Sequence, residues 1–119
     1  MPKKIMLCDD EVDILDITTF ILEDEGYEII STSNSLVAEQ MFIKELPDLL
    51  IIDLWMPGIS GDQIIKSLKK RDIFKNIPMI ILSASDKAKL TSIACGADAF
   101  IAKPYDIDEF LVTISKYIN

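Results

Sequence analysis

IIDLWMPGISG, residues 51–61, closes an apolar run on a carboxylate. Leu49–Ile52 have no polar side chain, Asp53 follows, and Trp55, Met56, Pro57 and Gly58 come directly behind it. Four apolar residues that end in a Pro-Gly turn read as a strand buried on both faces. A charge at the end of such a strand is either a turn former or a group held out for chemistry. The rest of the chain has to decide between these.

Working outward, apolar strands alternate with helical periodicities. Lys4–Cys8 is a short strand, and Glu11–Glu25 carries Val12, Leu15, Thr19 and Leu22 at helical spacing, widened by Ile14, Ile17 and Ile21, with Gly26 as its stop. Glu28–Thr32 is the second strand. Ser35 reads as the N-cap of a helix to about Glu45, with Leu36, Met41 and Phe42 inward, broken by Pro47-Asp48. Leu49–Asp53 is the third strand, and a loop through Gly58 leads to a helix from about Gly61 to Arg71 with Ile64, Ile65 and Leu68 apolar. Asn76-Ile77-Pro78 punctuates before Met79–Leu82, which ends at Ser83. Asp86–Cys95 is a helix stopped by Gly96. Ala99–Ala102 is a fifth, shorter strand, and Asp106–Ile118 a last helix with Ile107, Phe110, Leu111, Ile114 and Ile118 on one side. Strict alternation of this kind predicts an α/β fold, a doubly wound (βα)5 parallel sheet covered by helices on both faces.

The bulk composition narrows the function. The 119 residues suit one domain, 1–119, with one core. Half the residues are hydrophobic and 27% are charged, a globular balance. A net charge of −8 argues against direct binding of nucleic acid or an anionic membrane. No histidine is present, which excludes histidine catalysis, histidine metal ligands and a phosphohistidine on this chain. Cys8 and Cys95 lie in apolar surroundings and read as reduced core thiols of a cytoplasmic protein rather than a disulfide. The N-terminus turns acidic after a short apolar stretch, unlike a signal peptide, and no apolar run reaches the roughly 18 residues of a membrane span. The last helix runs to the end of the sequence, so no output domain is expected on this chain.

In sheets of this class ligands bind at the carboxyl ends of the strands. Strand one ends in Asp9-Asp10-Glu11, strand three in Asp53, strand four in Ser83-Ala84-Ser85 and strand five in Lys103-Pro104. Strand two ends in Thr32 and Ser33 without charge, as suits an edge. Each piece has an ordinary explanation: acids favoured at a helix start, a turn aspartate, a loop serine, a surface lysine. Their coincidence at successive strand ends does not. Gathered carboxylates repel unless a cation joins them, and a hard, oxygen-seeking ion such as Mg²⁺ leaves room for a phosphoryl oxygen. A lysine and a hydroxyl nearby complete a phosphoryl-binding set.

With these residues in place the chain closely resembles the receiver domain of two-component response regulators, in single-domain form, over about residues 4–118. The resemblance rests on Asp9-Asp10, Asp53 with Met56-Pro57-Gly58 and Gly61, Ser83-Ala84, Gly96-Ala97-Asp98 and Lys103-Pro104. It implies a flavodoxin-like sandwich with strand order 2-1-3-4-5. It implies that Asp53 takes a phosphoryl group from a histidine kinase or histidine phosphotransfer protein. Asp9, Asp10, Asp53 and the Trp55 backbone carbonyl would hold Mg²⁺, with Mn²⁺ as a substitute. Lys103, Ser83 and the Ala84 backbone would bind the phosphoryl group, Ser83 and Phe100 would switch together, and Lys103–Pro104 would be cis. The helix 4/strand 5/helix 5 face would be the readout surface. No arginine lies beyond Arg71, so that face offers no arginine–acid dimer pattern, and a monomer or weak dimer is expected. Such a protein is not a conventional enzyme, although it catalyses its own phosphorylation and dephosphorylation. Trp55, two residues past Asp53, should lie over the pocket mouth and, with Ser85, gate hydrolysis.

Three other readings fail on particular residues. A flavodoxin-like cofactor binder wants a hydroxyl- and glycine-rich loop after strand one, where this chain has Asp-Asp-Glu. A pseudo-receiver would lack the acidic pair, Asp53 or the lysine. A haloacid-dehalogenase-like phosphatase would need an aspartate at position 55, which is tryptophan.

Overall fold

The computed structural model describes residues 2–84 and 88–118. Five strands, β1 (Lys4–Cys8), β2 (Glu28–Thr32), β3 (Leu49–Asp53), β4 (Met79–Ser83) and β5 (Ala99–Ala102), alternate with five helices, α1 (Val12–Asp24), α2 (Ser35–Glu45), α3 (Gly61–Lys69), α4 (Ala88–Cys95) and α5 (Ile107–Ile118). Every adjacent pair of strands is parallel, in the order β2-β1-β3-β4-β5. This is the expected doubly wound sheet.

Alternation along the strands splits the core in two. Met6 and Cys8, Leu50 and Ile52, Met79 and Ile81 face Ala38 and Phe42 of α2, Ile64, Ile65 and Leu68 of α3 and Cys95 of α4. Ile5 and Leu7, Leu49 and Ile51, Ile80 and Leu82 face Leu15 and Leu22 of α1 and Phe110, Ile114 and Ile118 of α5. β3 and β4 are buried along their entire length, as central strands should be, whereas the edge strand β2 is half exposed. Cys8 and Cys95 are buried free thiols, Cys8 held up at about 12 by burial and by the neighbouring Asp9 charge.

Several local expectations are corrected. The N-cap of α2 is Asn34, whose side chain accepts the Leu36 N–H at 2.9 Å. Ser35 is the first helical residue and is buried, while Leu36 points outward at 64% exposure. On α1 the buried contacts are Leu15, Thr18 and Leu22; Val12 and Ile17 are exposed and Thr19 is half-buried, because the sheet covers a narrower stripe than the apolar residues span. Ile107 of α5 is likewise outside its helix's buried stripe. The third helix ends at Lys69, and a separate 3₁₀ turn, Asp72–Phe74, drops Phe74 into the core edge-on to Phe42 at 5.3 Å. The expected start of the fourth helix at Asp86 lies outside the described residues.

Candidate functional site at the carboxyl rim

The strand pattern that builds the core also builds the rim. Asp9, Asp53 and Lys103 continue the alternation of Ile5 and Leu7, of Leu49 and Ile51, and of Ala99 and Ile101, so three strands carry them toward one side of the sheet. Asp9 and Asp53 are both buried. Lys103 Nζ lies 2.7 Å from Asp9 Oδ2, 3.7 Å from Asp53 Oδ2 and 4.0 Å from Glu11 Oε1. Asp9 Oδ1 meanwhile accepts the Glu11 N–H at 3.0 Å and so anchors the entry to α1. Carboxylate oxygens of Asp9, Asp10 and Asp53 all lie within 4.8 Å of one another, with Asp10 exposed at the mouth.

Among the described residues one ammonium, that of Lys103, faces this cluster. Burial works against the charge on Lys103, but its hydrogen bond to Asp9 and the charges of Asp53, Asp9 and Glu11 outweigh burial and hold it above the usual lysine value. Asp53 goes the other way. Burial pushes its carboxyl up from 3.8 to about 6; the Lys103 charge and the Trp55 N–H oppose this, and Asp9 and Asp10 add to it. A buried carboxylate with two acids beside it is short of positive charge. An all-oxygen donor set with an open, exposed member is what a hard divalent cation takes, so the residues present fit one.

The loop behind Asp53 is shaped by two glycines. A side chain on Gly61 would start 2.4 Å from the Asp53 carbonyl oxygen, and the Gly61 N–H donates to Leu54 O at 2.9 Å, so only glycine lets α3 begin this close to the end of β3. Gly58 takes a φ of +93° where Pro57 turns the chain. Trp55 lies beyond the strand and is 60% exposed, hence not a core residue.

Ser83 is buried at the end of β4, and its carbonyl accepts the Lys103 N–H at 2.9 Å. The register pairs Ile81 with Phe100 and Ser83 with Ala102, so Ser83 and half-buried Phe100 share the face opposite Asp53. Ala84 is exposed, and Ser85 lies outside the described residues. The Lys103–Pro104 peptide is cis.

Two side chains tie the rim loops to neighbouring elements without a signal in the sequence. Tyr105, next to Pro104, shares a 2.8 Å hydrogen bond with Thr18 of α1 and stacks on Phe110 at 4.3 Å, which seats the lysine loop between α1 and α5. Ser35 bonds to the loop that carries Trp55. A hydroxyl facing another hydroxyl or a distant loop leaves no periodic signal. No helix among the described residues is long and apolar enough to cross a membrane.

A family model described as the response regulator receiver domain matches residues 5–115. The sporulation initiation phosphotransferase F of Bacillus subtilis is 35% identical, across 99% of this chain and 95% of its own. The polar-differentiation response regulator DivK of Brucella anthropi is 32% identical, across all of this chain and 98% of its own. The crystal structure of a CheY-like receiver domain protein from Methanospirillum hungatei superposes with a TM-score of 0.91 at 28% identity, covering 99% of this chain and 94% of that one. The family match, the full-length similarity and the shared fold agree: the chain belongs to the response regulator receiver domain family, the phosphoryl-accepting modules of two-component signal transduction.

Proposed function

We propose that Asp53 is the phosphoryl acceptor and that the reaction depends on Mg²⁺ held by Asp9, Asp10, Asp53 and the Trp55 carbonyl. The observation that carries this is the buried Asp53 carboxyl, raised to about 6, within a cluster of three acids with one lysine at 3.7 Å. An Asp53 oxygen attacks the phosphorus of a phosphohistidine on a histidine kinase or phosphotransfer protein. The P–N bond breaks, and the imidazole leaves with its electron pair. Phosphoryl transfer of this kind asks for position and charge neutralisation more than for further covalent groups. When bound, the divalent ion neutralises negative charge on the phosphoryl oxygens and the carboxylates. Lys103, pinned by Asp9, presents its ammonium to the same oxygens from the other side. Ser83 and the Ala84 N–H complete the phosphoryl contacts, and Phe100 on the Ser83 side of β5 turns with Ser83 as the switch.

The protein then catalyses its own phosphorylation and dephosphorylation without being a conventional enzyme. Its setting is the cytoplasm, as a monomer or weak dimer. Exposed Ile17 and Phe20 on α1 suit an apolar partner surface, while exposed Leu90 and Ile93 on α4 and Val112 on α5 suit readout by a downstream protein. Trp55 shields the aspartyl phosphate from water, with Ser85 as the second gate. Intact mass after incubation with acetyl phosphate decides the matter. Wild type should gain one phosphoryl group with Mg²⁺ and none with a chelator, and Asp53→Asn none in either case. In Trp55→Ala the added mass should decay faster. A phosphoryl group on Asp53→Asn would overturn the acceptor assignment, and an unchanged decay in Trp55→Ala the shielding role.

A further inference from the structure

Ser35 occupies a position where a helix needs no hydroxyl, since Asn34 already caps α2. Its side chain is nonetheless buried and bonded at both ends: it donates to the Pro57 carbonyl and accepts the Ile59 N–H at 3.0 Å. The intervening residue is Gly58, on which a Cβ would stand 2.9 Å from Ser35 Oγ. The chain from Leu54 to Gly61 is thus a closed loop, with Leu54 and Met56 buried in the core and hydrogen bonds at its base and its tip. Its base is tied by Gly61 N–H to Leu54 O, and its tip is tied across to α2 by one hydroxyl. Trp55 lies between these ties.

We infer that Ser35 is a positioning residue for the phosphoryl site, fixing the loop tip and through it the place of the Trp55 carbonyl relative to Asp9, Asp10 and Asp53. The inference rests on the reading of Asp53 as a Mg²⁺-dependent phosphoryl acceptor. Ser35 touches no reacting atom. Its removal leaves a carbonyl and an N–H of the loop without their partner, and the loop shifts to find water. Groups that orient metal ligands typically change metal affinity by about 10–100-fold when lost.

The test is calorimetric titration of Mg²⁺ into metal-free wild type, Ser35→Ala and Ser35→Thr, with urea unfolding of each without metal and acetyl phosphate labelling with Mg²⁺. Ser35→Ala should bind Mg²⁺ about tenfold more weakly, while Ser35→Thr, which keeps the hydroxyl, should bind as wild type does. A merely structural serine would lower metal-free stability and leave Mg²⁺ affinity within about twofold; that result overturns the proposal. So does a folded Ser35→Thr that binds weakly, and this arm holds even where Ser35→Ala does not fold. Failure of the underlying reading looks different: Mg²⁺ binds and depends on Ser35, yet wild type gains no phosphoryl mass.

Discussion

Asp98 and Asp53 stand at opposite ends of one sheet and meet opposite surroundings. Asp98 directly precedes β5. Its Oδ2 accepts the Met79 N–H at 2.8 Å and the Lys69 ammonium at 3.0 Å, and its own N–H donates to Met79 O at 2.8 Å. Asp48 directly precedes β3 and repeats the device on β1: Oδ2 accepts the Lys4 N–H at 2.8 Å, and its N–H donates to Lys4 O at 2.8 Å. At the amino rim, then, each of these carboxylates closes the first rung of a parallel ladder whose neighbour would otherwise start with an unpaired N–H. At the carboxyl rim Asp9, Asp10 and Asp53 lie close together, with Lys103 against Asp9 and Asp53. The same side chain serves the fold at one end of the strands and is left short of positive charge at the other. The lesson is that stability and function here are separated by strand polarity.

The largest difference between the two ends is expected in the response to pH. In the metal-free protein the folded-state value of Asp53, about 6, lies above the 3.8 of an ordinary aspartate, so the native state holds the proton more tightly. Its contribution to stability is fully present below about pH 4 and is lost as the pH rises through about 6. Other carboxylates titrate in the same window, so the quantity to measure is the stability of wild type minus that of Asp53→Asn. By urea unfolding with a chelator, that difference should fall by up to about 3 kcal/mol from pH 4 to 7. A difference that is flat with pH would mean that Asp53 is not held in a costly place.

A smaller effect of opposite sign is expected at the amino rim. Asp98→Ala strips the Met79 N–H and Lys69 of their acceptor, and at pH 7 it should destabilise by about 1–2 kcal/mol, the hydrogen bond supplying most of this because the ion pair is part-exposed. Mg²⁺ affinity and phosphorylation should not change. If Asp98→Ala weakened metal binding as much as a rim substitution, the separation of the two ends would fail.

The carboxyl rim was legible because it is written locally. An apolar run that stops at a polar side chain marks a strand end, and three charged ends with one hydroxyl end among them mark a rim, so Asp9, Asp10, Asp53, Ser83 and Lys103 gather from the sequence alone. At the amino rim the signal is weaker: Asp48 and Asp98 each stand one residue before a strand, where an aspartate reads equally as a turn former. Other features depend on contacts between elements. Asn34 and Ser35 are both good cap residues, and only the loop arriving from β3 explains why the second is buried. Val12 and Ile17 lie on an apolar stripe of α1 wider than the sheet covers, so periodicity alone placed them inside. Phe74 enters the core from a 3₁₀ turn too short to leave a period.

Unfolding free energies of three proteins, each with and without Mg²⁺, decide the claim that the carboxyl-rim acids take up a cation while the amino-rim acids have their partners in the chain. Wild type at about ten times its Kd should gain roughly 1.4 kcal/mol. Asp98→Ala should gain the same increment from its lower starting point. Asp53→Asn, at the same metal concentration, should start higher at neutral pH and gain clearly less. Equal gains in wild type and Asp53→Asn, or no gain in wild type at saturating Mg²⁺, would contradict the claim.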